Sequence, residues 1–267
     1  MKEQFDKYIE YLPFVILMAF IVWRPTFDLA TPSGEHLSSK EQSSKEQSLK
    51  EQPLAAQYIT HGGDSSHKVH GIDVSYDQGV IDWTKVLETD VAFVYLKATD
   101  GMTYTDPMFH RHMSALAKQD TLLYGAYHFF EAEDDPEKQA ENYLRQVSEY
   151  SPHLLPMVDV EVTKDQKPEE IKTRLKVFSD KVEAATGCLP MIYSYRSFWD
   201  LDIGPSFDHH VFWLADYAKK MDAPKNVKNL TLWQYSDRGS VKGITGPVDL
   251  DVVTRGDNGL DDIRCSK

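Results

Sequence analysis

Eight short runs of strand-forming residues recur between His70 and Val253, and their number leaves this chain very few architectures. They are HGIDVSY (70–76), VAFVYLKAT (91–99), LLYGAYHFF (122–130), LLPMVDVEV (154–162), LPMIYSY (189–195), VFWLADY (211–217), LTLWQYS (230–236) and VDLDVV (248–253). Eight strands suffice to close a barrel. Helical stretches separate the first five runs. Asp106 to Gln119 carries Pro107 in its first turn, and Glu133 to Tyr150 offers Asp134 or Asp135 as a cap ahead of Pro136. Pro168 to Ala185 sets Ile171, Leu175, Phe178, Val182 and Ala185 on one stripe and stops at Gly187. After Tyr195 the connections shorten and no long amphipathic helix is evident. The pattern predicts an α/β barrel with an irregular second half, an open doubly wound sheet being the alternative.

Strand alternation then sorts the side chains. In LPMVDVEV, Met157, Asp159 and Glu161 share one face, and Val158, Val160 and Val162 share the other. A valine row reads as a surface buried under helices. Two carboxylates facing the opposite way are costly unless solvated, partnered or partly protonated. The same rule sets Asp73 and Ser75 against Ile72 and Val74, and Phe93, Tyr95 and Lys97 against Val94 and Leu96. Asp216 falls near the end of its run. Asp73, Asp159, Glu161 and Asp216 are therefore expected at strand C-terminal ends, where βα-barrel enzymes build their sites. Each alone reads as an ordinary loop or capping acid; convergence on one rim is what would make them a site. Aromatic residues accompany them, and aromatic faces suit sugar rings.

The front of the chain has a different texture. Phe14 to Trp23 is an unbroken apolar run, and Tyr8 to Trp23 would span about 24 Å as a helix, slightly short of a hydrocarbon core. No clean cleavage motif follows, so residues 1–30 read as a membrane anchor rather than a cleaved signal. Residues 31–69 form a polar linker containing SSKEQ, SSKEQ and SLKEQ, expected to be disordered. The catalytic domain is expected over 70–267. This organisation predicts a cell-envelope protein, single-pass and membrane-anchored, with the domain outside the cytoplasm. A net charge of −13 argues against nucleic acid as a partner. Cys188 and Cys265 are the only cysteines, which leaves room for one disulfide in an oxidising compartment. The histidines show no metal-ligand spacing; His209, His210 and the His61, His67, His70 group read as surface or linker residues.

Taken together, GIDVSYDQGVIDW (71–83), FVYLKATDGMTYTDPMF (93–109), YGAYHFF (124–130), LPMVDVEV (155–162), MIYSY (191–195), WLADY (213–217) and LWQYSDRGSVKGITGPVDLD (232–251) resemble the family-25 glycoside hydrolases, the Chalaropsis-type lysozymes. The stretches run in family order over essentially all of 70–255. The resemblance implies a flattened TIM-like βα barrel of five β–α units followed by three strands. It also implies cleavage of the β-1,4 bond between N-acetylmuramic acid and N-acetylglucosamine in peptidoglycan, without metal or cofactor. Family roles would pass to Asp73, Asp159, Glu161 and Asp216. Sugar contacts are expected from Tyr95, Lys97, Tyr127, Tyr193, Trp233, Gln234 and Asp249. Three positions depart from the family pattern: Asp100 stands where Glu is usual, His112 where Asn often follows, and Asp251 where Asn is common.

Glycoside cleavage needs a proton for the leaving oxygen and a group that stabilises or captures the oxocarbenium-like centre. Glu161 is the expected acid, its proton retained by crowding from Asp159, Asp73 and Asp216. Asp159 would orient the substrate's own acetamido group, with Tyr127 hydrogen-bonding it; a carboxylate-activated water is the alternative. Lys97 is also open to a structural role as an ion-pair partner inside the barrel. The rival functions are a non-catalytic, membrane-tethered wall-binding module and a hydrolase of chitin-like GlcNAc polymers.

Overall fold

The computed structural model describes residues 69–255 and 259–265 of the chain; the apolar run, the SSKEQ repeats and most of the linker lie outside them. Among the described residues no helix is long and apolar enough to cross a membrane. Eight strands form the sheet: β1 (His70–Val74), β2 (Val91–Asp100), β3 (Leu123–Phe129), β4 (Met157–Asp159), β5 (Met191–Tyr195), β6 (Phe212–Ala215), β7 (Leu230–Gly239) and β8 (Val248–Val253). Each falls on one of the eight runs, with β2 and β7 extending past theirs to Asp100 and Gly239. A two-residue strand, Tyr104–Thr105, is appended to the end of β2. Strands β1 to β7 run parallel in chain order, β8 lies antiparallel between β7 and β1, and β1 also pairs with β2. The sheet therefore closes, which excludes the open doubly wound alternative.

Three principal helices pack outside: α1 (Phe109–Leu116), α2 (Pro136–Val147) and α3 (Pro168–Thr186). The first two lie inside their predicted segments, and α3 starts at Pro168 as predicted and runs one residue past Ala185. Asp135 caps α2 by accepting hydrogen bonds from the Glu137 and Lys138 amides, and Gly187 closes α3 in the left-handed conformation. Only short helical turns follow β5, over Arg196–Phe207.

Alternation divides the buried side chains into two layers. Ile72, Val74, Val94, Leu96, Val158, Val160 and Leu214 join the helices' apolar faces in one layer. Phe93, Tyr95, Met157, Met191, Tyr193, Trp213 and Leu232 fill the barrel. Two inward positions must be glycine to admit the large rings. A Cβ on Gly71 would lie 2.1 Å from the Phe93 ring, and one on Gly125 would lie 2.5 Å from Tyr95.

The floor, at the strands' N-terminal ends, is covered by the chain's own C-terminal segment. Ile263 is fully buried among the barrel side chains, and its carbonyl accepts a hydrogen bond from the Leu155 amide at 2.8 Å. A disulfide between Cys188 and Cys265 ties the segment down.

Two local expectations need correction. The valine row ends at Val160, because β4 stops at Asp159 and Val162 is only partly buried in the following loop. His210 is buried rather than superficial, since Phe207 packs over it and its Nδ1 donates to the Pro190 carbonyl at 2.7 Å.

Candidate active site

The mouth of the barrel gathers acids from three separated segments. Asp73 on β1 and Asp249 on β8 are directly opposite in the antiparallel register, so both face the interior. Asp251, two residues further along β8, faces the same way one layer deeper, opposite Gly71 and Gln234. Asp159 ends β4, and Glu161 follows in the loop. Asp73 and Asp159 are 8% and 7% exposed, and Asp251 is fully buried.

Burial dominates the electrostatics of this group. It pushes the Glu161 carboxyl up to about 7; a hydrogen bond with Asp159 opposes the rise, and the charge of Asp249 adds to it. Burial and the charge of Glu161 hold Asp159 well above the usual carboxylate range. Asp73 is raised to about 6 by burial, against hydrogen bonds from Gln234 and Asp251. Asp249 is raised to about 8 by burial and then by Asp73 and Asp237. The group as a whole retains protons near neutral pH. Burial, rather than crowding by neighbouring acids, is the main reason.

One oxygen of Asp159, Oδ1, is buried without a hydrogen-bond partner. Asp159 shares a hydrogen bond with Glu161, so a proton held between the two carboxyls is one way to satisfy it. Around it, Tyr127 and Tyr193 feel the charges of Asp73 and Asp159, and the Lys97 ammonium acts on Asp159 and Glu161. Lys97 is an ion-pair partner within the barrel rim, 2.9 Å from Asp100, with its ammonium over the Phe129 ring. Gln234 donates to Asp73 at 2.7 Å and accepts from the Tyr193 and Tyr217 hydroxyls at 2.9 and 2.7 Å.

The remaining expected residues are placed elsewhere. Asp216 lies just past β6, and its carboxylate accepts from the amides of Ala218 and Asp222 at 3.1 and 2.8 Å, within its own loop. It organises the turn that carries Tyr217. Trp233 shares the outward face with its register neighbour Leu214, and its indole donates to the Asp216 carbonyl at 2.6 Å. Tyr95 is fully buried and donates to the Leu155 carbonyl. His112 is also structural, accepting from the Trp83 indole and donating to the Gly79 carbonyl.

A family model described as glycosyl hydrolases family 25 matches residues 72–244. The chain belongs to this family. It is thus a glycoside hydrolase, and the relatives agree. An autolytic lysozyme of Clostridium acetobutylicum is 34% identical over 186 residues, covering 70% of this chain and 56% of that protein. The N,O-diacetylmuramidase of a Chalaropsis species is 29% identical over 68% of this chain and 96% of that protein. A solved family 25 glycosyl hydrolase from Bacillus anthracis superposes with a TM-score of 0.69 at 27% identity, covering 78% of this chain and 99% of that one.

Within the family 25 barrel described here, two features escaped the sequence reading. Asp249 was expected as a sugar contact, yet it is the acid whose charge acts on Glu161. Alternation along VDLDVV could have found it, since Asp249 and Asp251 share a face. Tyr217 was among the aromatic residues accompanying the acids but had no assigned role, because its hydroxyl reaches Gln234 through a loop whose course no local pattern specifies.

Proposed function

We propose that this family 25 hydrolase is a muramidase, cleaving the β-1,4 bond between N-acetylmuramic acid and N-acetylglucosamine in peptidoglycan. Glu161 serves as acid and then base, and Asp159 orients the substrate's acetamido group. The observation that carries this reading is the pairing of a Glu161 carboxyl raised to about 7 with the buried Asp159 carboxyl to which it hydrogen-bonds. The names of the relatives, lysozyme and muramidase, point to the same bond.

In this mechanism Glu161 donates its proton to the glycosidic oxygen as that bond breaks. Asp159 accepts the acetamido N–H, which makes the acetamido oxygen a better nucleophile towards the anomeric carbon. A cyclic oxazolinium-type intermediate forms, and the leaving sugar departs as the alcohol. Glu161, now a carboxylate, takes a proton from the water that reopens the ring, giving net retention. Asp159 and Glu161 are two residues apart at one strand end, an arrangement poorly suited to the opposite faces of a sugar. That favours the substrate's own group over a carboxylate-activated water. In this scheme Tyr127, whose hydroxyl has no hydrogen bond to the described residues, contacts the acetamido group. Asp249 takes the supporting role that the sequence suggested for Asp216. The disulfide fits an oxidising compartment, and with the apolar run at 14–23 we infer a domain held outside the cytoplasm.

Glu161→Gln tests the reading. Reducing-end release from purified cell wall should fall by about 10³-fold or more, with the thermal transition retained. Unchanged turnover would remove Glu161 from its role. Chitin oligomers as a parallel substrate separate muramidase from chitinase-like activity, and NMR of the first-formed anomer separates retention from inversion.

A further inference from the structure

Beneath the mouth, Asp251 is a second buried carboxyl that the reaction scheme does not use. It is fully buried, its Oδ1 accepts from the Trp213 indole at 3.1 Å, and its Oδ2 has no partner other than the neighbouring Asp73 carboxyl. Asp73 in turn accepts from Gln234 on its Oδ2. Two carboxylates cannot face each other in such a place with only these two donors between them. The groups facing Asp251 are Asp73 from β1, Asp249 from its own strand, Tyr95 from β2 and Tyr235 from β7, with Trp213 from β6. None of these groups is a cation. A shared proton is the remaining way to balance the charge.

We propose that Asp251 is a positioning residue that stays protonated, donates its hydrogen bond to Asp73, and so fixes the Asp73–Gln234–Tyr193 chain beneath the catalytic pair. A neutral carboxylic acid offers one donor and one acceptor in the same plane as a carboxamide, which explains how Asp can stand where family 25 usually has Asn. A proton held there leaves Asp73 to carry the single negative charge, and Gln234 is oriented to receive the Tyr193 and Tyr217 hydroxyls.

The test compares Asp251→Asn with Asp251→Leu in the full chain. Asn keeps both hydrogen bonds, so kcat and KM on cell wall should stay within about threefold of wild type. Leu removes the donor to Asp73 and the acceptor for Trp213. Its kcat should fall roughly 10- to 100-fold with KM little changed, the loss of a hydrogen bond to a charged group. The alkaline limb of the kcat profile should coincide in wild type and Asp251→Asn. If Asp251 were an anion, removing its charge would shift that limb to lower pH and overturn the proposal. A readout independent of activity is the infrared carbonyl band of a neutral carboxylic acid near neutral pH, present in wild type and diminished in Asp251→Asn. The kinetic arms rest on the muramidase reading, whereas the infrared arm does not. An unchanged band in Asp251→Asn would refute the proton on Asp251 even if Glu161 proves catalytic.

Discussion

The two ends of this barrel are built from the same strands yet obey opposite rules. The floor is dry and closed: Phe93, Leu123, Met191 and Ile263 pack there, glycines make room for rings, and a disulfide holds the cover. The mouth gathers Asp73, Asp159, Glu161 and Asp249, with Asp251 one layer beneath them. The floor contributes stability through burial, at about 25 cal/mol per Å² of apolar surface. The mouth spends some of that stability by holding acids where their charges are unfavourable. The rigid end is what allows the strained end to exist, as expected of a βα barrel whose chemistry lies at its C-terminal face.

If the division is real, substitutions at the mouth should cost rate and substitutions at the floor should cost stability. After Glu161→Gln, the largest effect is expected for Asp159→Asn. Its kcat should drop by about 10³-fold, some 4 kcal/mol, with no loss of thermal stability. An accompanying collapse of the fold would show that the mouth also carries the structure.

Next comes the double change Cys188→Ser with Cys265→Ser. The cysteines are 77 residues apart, so cutting the link should cost about 3–4 kcal/mol of stability. Differential scanning calorimetry would read this as a lowered transition, while turnover per folded molecule stays the same. A changed kcat at full folding would mean that the floor communicates with the mouth.

Asp216→Ala should be milder. It removes the acceptor for the Ala218 and Asp222 amides and loosens the turn that carries Tyr217, at about 1–2 kcal/mol. A several-fold fall in kcat/KM is expected. A loss as large as that for Asp159→Asn would return Asp216 to the catalytic group.

The smallest effect concerns pH. Asp73, Glu161 and Asp249 have folded values of about 6, 7 and 8, all above their unfolded values near 4. The folded state therefore binds these protons more tightly than the unfolded chain. Their stabilising contribution is complete below about pH 4 and is lost as pH rises through 6 to 8. The transition temperature should decline from about pH 4 to about pH 8, and Asp249→Asn should flatten the decline. An unchanged decline would mean that the Asp249 carboxyl is not raised in the fold.

Much of this was legible along the chain because a strand's two-residue period survives without knowledge of its partners. Alternation in 70–76 and 91–99 sorted Asp73 inward and Val94 outward, as the two buried layers show. The Asp135 and Gly187 caps were equally local, since each acts on amides or carbonyls within one turn. The direction of Asp216 was not local. Near a strand end, a carboxylate can face the barrel or fold back onto its own loop, and two backbone amides a few residues ahead decided for the loop.

What the sequence determined by itself was the number of strands, the face each residue takes and the kinds of side chain that meet. Those follow from periodicity and from the geometry of a single turn. Only the closed sheet decided which acids meet. It sets β8 antiparallel against β1, opposing Asp249 to Asp73 and placing Asp251 one layer below. The proton-holding character of the mouth follows from that juxtaposition, because desolvation depends on what surrounds a carboxyl from every side and not on its neighbours in the chain.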